Sequence, residues 1–198
     1  MLFRSHMTST NSGSDTSLRG LRDRPFELLK ELEKRSRNVA ANSVAEADAG
    51  QEWVGVAFRM GGETFLVARE ETREVLGYPA VVTRIPGAKS WVRGLANVRG
   101  ALMPMLDLRQ FLGSGATTSG RNTRIVVVNH RDIPAGLMVD EVLGFRRFAE
   151  SEFSAEAPPT VIRCDSYLAG AFRRGGEVWP VLSLKTLVES QSFLQAAS

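Results

Sequence analysis

The sequence predicts an all-β body built from two related small barrels, and three observations carry that prediction. First, the segment Trp91 to Leu112, WVRGLANVRGALMPMLDLRQFL, recurs in degenerate form as Tyr167 to Val188, YLAGAFRRGGEVWPVLSLKTLV. With no gap, Gly94 falls on Gly170, Gly100 on Gly176, Pro104 on Pro180, Leu106 on Leu182 and Leu108 on Leu184. Second, Glu74-Val75-Leu76-Gly77-Tyr78 returns as Glu141-Val142-Leu143-Gly144-Phe145, so two related halves meet near residues 113–122, the second carrying an insertion. Third, short runs of period-two alternation are separated by glycine-bearing turns. A single sandwich is the other architecture such strands build; the duplication favours two barrels.

Taken in order, residues 1–23 are rich in Ser, Thr, Asn and Gly without hydrophobic period and read as a disordered tail, with 1–7 resembling a vector leader. Residues 24–50 read as an amphipathic helix and linker. Pro25 suits the first helical position, and Phe26, Leu28, Leu29 and Leu32 recur at helical spacing, on a helix that either docks on the body or meets a partner. The body spans 51–193, followed by a C-terminal tail at 194–198. It opens with Val54, Val56, Phe58 and Met60 in alternation, Gly61-Gly62 as a tight turn, and Thr64 to Ala68 as the returning strand. Further strands are expected at Arg73–Leu76, Ala101–Leu106, Arg124–Asn129, Ala135–Val139, Val142–Phe148 and Val178–Leu182, with a second tight turn at Gly175-Gly176. Short helical turns should follow the Pro-bearing strands at Asp107–Leu112 and Leu184–Phe193.

Composition narrows the function classes. The chain has 198 residues, 43% of them hydrophobic, enough for one globular body with a core. Its longest apolar run is far short of a membrane span, and the chain reads as soluble and cytoplasmic. The net charge of +3 sits in residues 1–40; residues 41–198 hold seventeen Lys/Arg and seventeen Asp/Glu. A neutral body argues against a nucleic-acid binder, although a barrel that binds single strands remains the alternative reading.

Catalytic and metal chemistry find little footing. Apart from His6 in the leader, the only histidine is His130, in Asn129-His130-Arg131-Asp132, where a solvated turn residue is expected. A lone cysteine, Cys164, excludes an internal disulfide and a cysteine-pair metal site. The acid pairs Glu70-Glu71, Asp140-Glu141 and Glu150-x-Glu152 carry no sign of a shared cleft, and no phosphate-binding loop of the Walker type occurs. The expectation is a protein that is not an enzyme and takes no cofactor or metal.

One stretch stands apart: Val92-Arg93-Gly94-Leu95-Ala96-Asn97-Val98-Arg99-Gly100 leads into Ala101-Leu102-Met103-Pro104-Met105-Leu106-Asp107-Leu108-Arg109. Polar Asn97 and Arg99 stand at an element boundary, where they can be displayed. This stretch resembles the signature of the CheW-like chemotaxis adaptors, an apolar-basic-Gly-x-x-Asn-x-Arg-Gly segment running through a Pro-bearing strand to Asp-Leu-Arg. Glu74-Val75, Thr83-Arg84-Ile85-Pro86, Val139-Asp140 and the Gly170–Leu184 copy fall in that family's order, so the similarity spans about residues 51–190. A narrower similarity, through Pro25–Leu29 and Trp53–Gly62, is to the PilI-type adaptors of the twitching-motility system that controls type IV pili.

The resemblance implies two intertwined, pseudo-symmetric five-stranded SH3-like β-barrels. It also implies a non-enzymatic adaptor that links the tip of a methyl-accepting chemoreceptor to the regulatory domain of a CheA-type histidine kinase, at receptor arrays beneath the inner membrane. No nucleic acid and no membrane insertion are expected, and assembly with homologous adaptors in rings stays open. On the same resemblance, Glu74, Asn97, Val98, Arg99 and Gly100 face the kinase, with Arg99 and Glu74 on one surface of the first barrel. An apolar groove between the barrels takes the receptor tip, lined by Leu102, Met103, Leu137 and Val139, for each of which a core role is the alternative. In the second copy Arg173, Arg174 and Gly175 stand where Asn97, Val98 and Arg99 stand in the first, which confines the kinase signature to one barrel.

Overall fold

The computed structural model describes residues 52–196; the expected N-terminal tail, helix and linker, and the last two residues, lie outside the described residues. Eleven strands form two sheets. One runs β8-β1-β2-β11-β10-β9, from β1 (Glu52–Met60), β2 (Glu63–Ala68), β8 (Glu141–Ala149), β9 (Phe153–Ser154), β10 (Leu168–Arg174) and β11 (Glu177–Leu182). The other runs β3-β6-β7-β5-β4, from β3 (Thr72–Gly77), β4 (Val92–Val98), β5 (Ala101–Asp107), β6 (Arg124–Val128) and β7 (Gly136–Val139). Gly61 and Gly62, at φ 59° and 90°, close the first hairpin, and Gly175 and Gly176, at 59° and 84°, close β10–β11, both in the left-handed conformation a two-residue turn requires.

The duplication reappears strand for strand. The β4–β5 hairpin corresponds to β10–β11, and β3 to β8. The two sheets thereby share one order, β3-β6-β7-β5-β4 against β8-β1-β2-β11-β10, and the N-terminal hairpin β1–β2 belongs to the sheet of the second half. Gly94 and Gly170, at φ 139° and 145°, each mark a register shift in their hairpin. Each repeated proline faces a residue whose peptide groups turn the other way: Pro104 lies opposite Leu95, which bonds Thr83 instead, and Pro180 lies opposite Ala171, which pairs with Ser154. A proline lacks the N–H a ladder needs, so only such a position accepts it.

Helical turns follow both Pro-bearing strands. Helix α1 (Leu108–Phe111) is capped by the Asp107 side chain on Gln110 N–H, and α2 (Leu184–Val188) by Ser183 on Thr186 N–H. The second expected turn divides at Ser190, which caps a separate α3 (Gln191–Leu194).

The core falls into three clusters. One, with Met103, Met105, Met138, Ile125 and Val127, fills the five-stranded sheet, and a second, with Phe148, Phe172 and Val181 beside Trp53 and Trp179, fills the other. The largest, from Phe58 and Phe65 to Leu137, Val139, Leu182 and Leu184, joins both sheets. None of the described helices is long and apolar enough to cross a membrane.

Candidate binding site

The β4–β5 turn is built by its own side chains. Asn97 Oδ1 accepts a hydrogen bond from Gly100 N–H at 2.8 Å, fixing the two turn residues between them. Arg99 holds φ 52°, the only left-handed residue other than glycine among the described residues, and Gly100 holds 88°. From this position Arg99 Nη2 reaches Glu74 Oε2 on β3 at 2.8 Å, while the guanidinium stays largely in solvent. Glu74, Val98 and Arg99 line one hollow of about 270 Å³ with Arg73, Ala101 and Met103. The structure thus brings Glu74, Val98 and Arg99 together at the barrel mouth. Asn97 points to the opposite face, where it is paired across the hairpin with Leu102.

In the second copy, glycine at 175 leaves the corresponding acid, Glu141, without a turn arginine. Arg59 on β1 takes that place, with its Nη1 2.8 Å from Glu141 Oε2. The ion pair from turn to sheet belongs to the first barrel alone.

The four expected groove residues do not come together on one surface. Leu137 and Val139 are 1% and 0% exposed and border no surface groove, while Met103, largely buried, lines the hollow beside Glu74, Val98 and Arg99. The reason is topological: β7 lies between β6 and β5, its Leu137 and Val139 packing into the shared core and its Met138 into the barrel interior. Leu102 is 70% exposed, yet it stands beside Asn97 on the outer face of β4–β5. An open cleft between the two sheets does exist, about 570 Å³, where the edge strands β3 and β8 approach with Val75, Val142 and Phe145 on its walls. Phe145 is 62% exposed. Val75 and Val142 occupy the same place in the repeated Glu-Val-Leu-Gly-aromatic segment, and that repetition is the sequence signal that marks them.

His130 also differs from the expected solvated turn residue. Its half-buried ring accepts from Asp132 and Ile133 N–H at Nδ1, both at 3.2 Å, which leaves the ring proton on Nε2, 3.2 Å from Glu189 Oε1. The ring thereby orders the β6–β7 loop and ties it to the end of α2. Cys164 is buried, its Sγ 3.4 Å from Thr160 Oγ1, and burial pushes its thiol pKa up, the opposite of a reactive thiolate. Phe148 packs against Phe172 and Trp179, with Arg174 over Phe148 at 4.5 Å and Arg146 over Trp179 at 6.0 Å.

Comparison with known proteins gives one family throughout. A sequence profile of the CheW-like domain matches residues 54–192. Protein PilI of Pseudomonas aeruginosa is 42% identical over 173 residues, covering 87% of this chain and 96% of that protein. The chemotaxis protein CheW of Klebsiella aerogenes is 25% identical over 76% of this chain and 89% of its own. Among solved structures, the scaffolding protein TtCheW from Thermoanaerobacter tengcongensis matches with a TM-score of 0.63 at 24% identity, over 72% of this chain and 96% of that one, which supports the two-barrel fold.

Proposed function

From the chain's membership of the CheW-like family, we propose that it is a non-enzymatic adaptor coupling methyl-accepting chemoreceptors to the regulatory domain of a CheA-type histidine kinase. The system it serves is the cytoplasmic array controlling type IV pilus twitching motility, a reading supported by its 42% identity to protein PilI over nearly the whole of both chains.

One observation carries the kinase site. A strained arginine, Arg99, is held against Glu74 at the mouth of one barrel, while the duplicated barrel has a glycine at the equivalent turn position. A common scaffold has no need of that difference; a one-sided binding surface does. Asn97 and Gly100 serve by shaping the turn, and Val98 and Arg99 by contact. The receptor tip, an amphipathic helical hairpin, fits the cleft between β3 and β8, with Val75, Val142 and Phe145 as its apolar walls.

Calorimetric titration of the chain against the kinase tests the reading. Arg99→Glu should weaken binding by about 2 to 5 kcal/mol if the pair is desolvated in the complex. Unchanged affinity in both Arg99→Ala and Arg99→Glu would refute the kinase assignment. Phe145→Asp should abolish receptor co-sedimentation and leave kinase binding intact.

A further inference from the structure

Strand β3 carries a bulge, and Arg73 is its extra residue. Thr72 lies opposite Val128 on β6 and Glu74 opposite the adjacent Val127, so no residue of β6 faces Arg73. A bulge on an edge strand re-aims a side chain, and β3 is the edge of its sheet. The Arg73 guanidinium has no partner among the described residues, and the residue is exposed. It lines the hollow of about 270 Å³ at the β4–β5 turn, beside Glu74 and Arg99, with Val98, Ala101 and Met103 as apolar walls.

The charges at the hollow do not cancel. Arg99 Nη2 answers Glu74 at 2.8 Å, and two arginines against one glutamate leave one positive charge, that of Arg73. The Arg99 side chain is 77% exposed and commits one nitrogen to Glu74, so its other donors stay open. The second barrel lacks this surplus. In the repeat Glu141 stands for Glu74 and Asp140 for Arg73, and the Asp140 carboxylate accepts from Gly61 N–H at 2.7 Å. An acid thus holds the place that a free arginine holds in the first barrel.

Two guanidinium forks beside apolar walls suit a carboxylate side chain, whose oxygens take paired N–H donors while its methylene stem meets Val98, Ala101 and Met103. A basic side chain would meet like charge there, and an apolar one would cover Arg73 without giving it a partner.

We infer that the hollow takes the carboxylate of an aspartate or glutamate side chain of the kinase regulatory domain, held between Arg73 and Arg99, which makes Arg73 a second kinase contact. The inference rests on the kinase-coupling reading above and names the chemical group that the kinase brings to this barrel mouth.

The test uses the full chain and the full-length CheA-type kinase of the same organism. Arg73 also borders the β3–β8 cleft, so the titration contains no receptor. Affinity is measured for wild type, Arg73→Gln, Arg73→Lys, Arg73→Glu and Arg99→Glu, with unchanged denaturation midpoints verifying the fold. Arg73→Gln should weaken binding by about tenfold or more and Arg73→Glu further, while Arg73→Lys should stay within about threefold of wild type. Each exposed Asp and Glu of the regulatory domain is then reversed to Lys in turn, and one reversal should bring Arg73→Glu back to within about tenfold of the wild-type affinity. If Arg73→Gln and Arg73→Glu bind as wild type, if Lys and Gln are equally harmful, or if no reversal restores binding, the carboxylate contact is overturned, and loss of affinity in Arg99→Glu still leaves the coupling reading standing. Loss of self-association in Arg73→Glu with kinase affinity unchanged would give the acid to a second copy of this chain and overturn its assignment to the kinase. A wild-type chain that does not bind the kinase overturns both.

Discussion

Arg99 on the β4–β5 turn lies 2.8 Å from Glu74 on β3, and it does so from a left-handed backbone conformation, φ 52°, that the second barrel gives to Gly175 at 59°. The conformation costs a non-glycine residue on the order of 1 kcal/mol, and an ion pair this exposed returns about 0.2 to 1 kcal/mol. The arginine is therefore close to neutral for folding, which agrees with the binding role proposed for it.

Arg99→Gly separates the two effects. It removes the strain and the ion pair together, and urea denaturation should give a stability within about 1 kcal/mol of wild type. Kinase affinity should fall as it does for Arg99→Ala. A marked loss of stability would mean that Arg99 is a structural residue.

Gly94 and Gly170 are a matched pair of structural glycines. A Cβ at Gly94 would stand 2.1 Å from the Thr83 carbonyl oxygen, and one at Gly170 2.4 Å from that of Ser154, where backbone passes close to each bulge. Alanine at either position should destabilise by about 2 to 4 kcal/mol, because backbone rather than a mobile side chain must move. Gly62→Ala meets nothing within 4 Å and bears only its φ of 90°, so it should cost less. Denaturant midpoints of the three variants check the order.

The repeat made this pairing legible before any coordinates, but not its strands. The alternation of β4 is broken by Arg93 and the bulge at Gly94, and that of β10 by Gly170 and two arginines, so neither hairpin's first strand shows a period of two. That Arg99 and Glu74 share one surface followed from the resemblance, whereas their direct ion pair is seen only in the structure. The groove did not follow, because β7 is buried on both faces and its apolar run carries no record of which residues reach the surface. The exposure of Val75 and Phe145 was not legible, because apolar residues ordinarily report burial; only the repeat of the segment that holds them sets them apart.

Asp107 should be the costliest single polar residue to remove. It is fully buried, caps α1, accepts from Thr117 N–H at 2.8 Å and pairs with Arg93 Nη2 at 2.6 Å, while that nitrogen also donates to the Thr117 carbonyl. Asp107→Ala strands the arginine and should cost about 3 to 5 kcal/mol. Its counterpart in the repeat, Ser183, caps α2 with a hydroxyl, and Ser183→Ala should cost about 1 kcal/mol. Asp107→Ser retains the cap without the charge and should fall between the two in thermal or chemical denaturation.

Acid stability should register one surface pair on the second barrel. Arg174 donates two hydrogen bonds to Glu152, with its Nε 2.6 Å from Oε1, and the Ala149 N–H adds a third at 2.8 Å. The arginine contact first, then the backbone donor, pulls the Glu152 carboxyl down to about 2. A carboxyl whose folded pKa lies below its unfolded value binds fewer protons in the native state, so its contribution is complete above the unfolded pKa of about 4.3 and is lost as pH falls through the folded one. Stability measured between about pH 4.5 and 2 should therefore fall less steeply in Glu152→Gln than in wild type, with the two curves parallel above pH 6. Identical slopes across the acid range would show that the pair does not couple to folding.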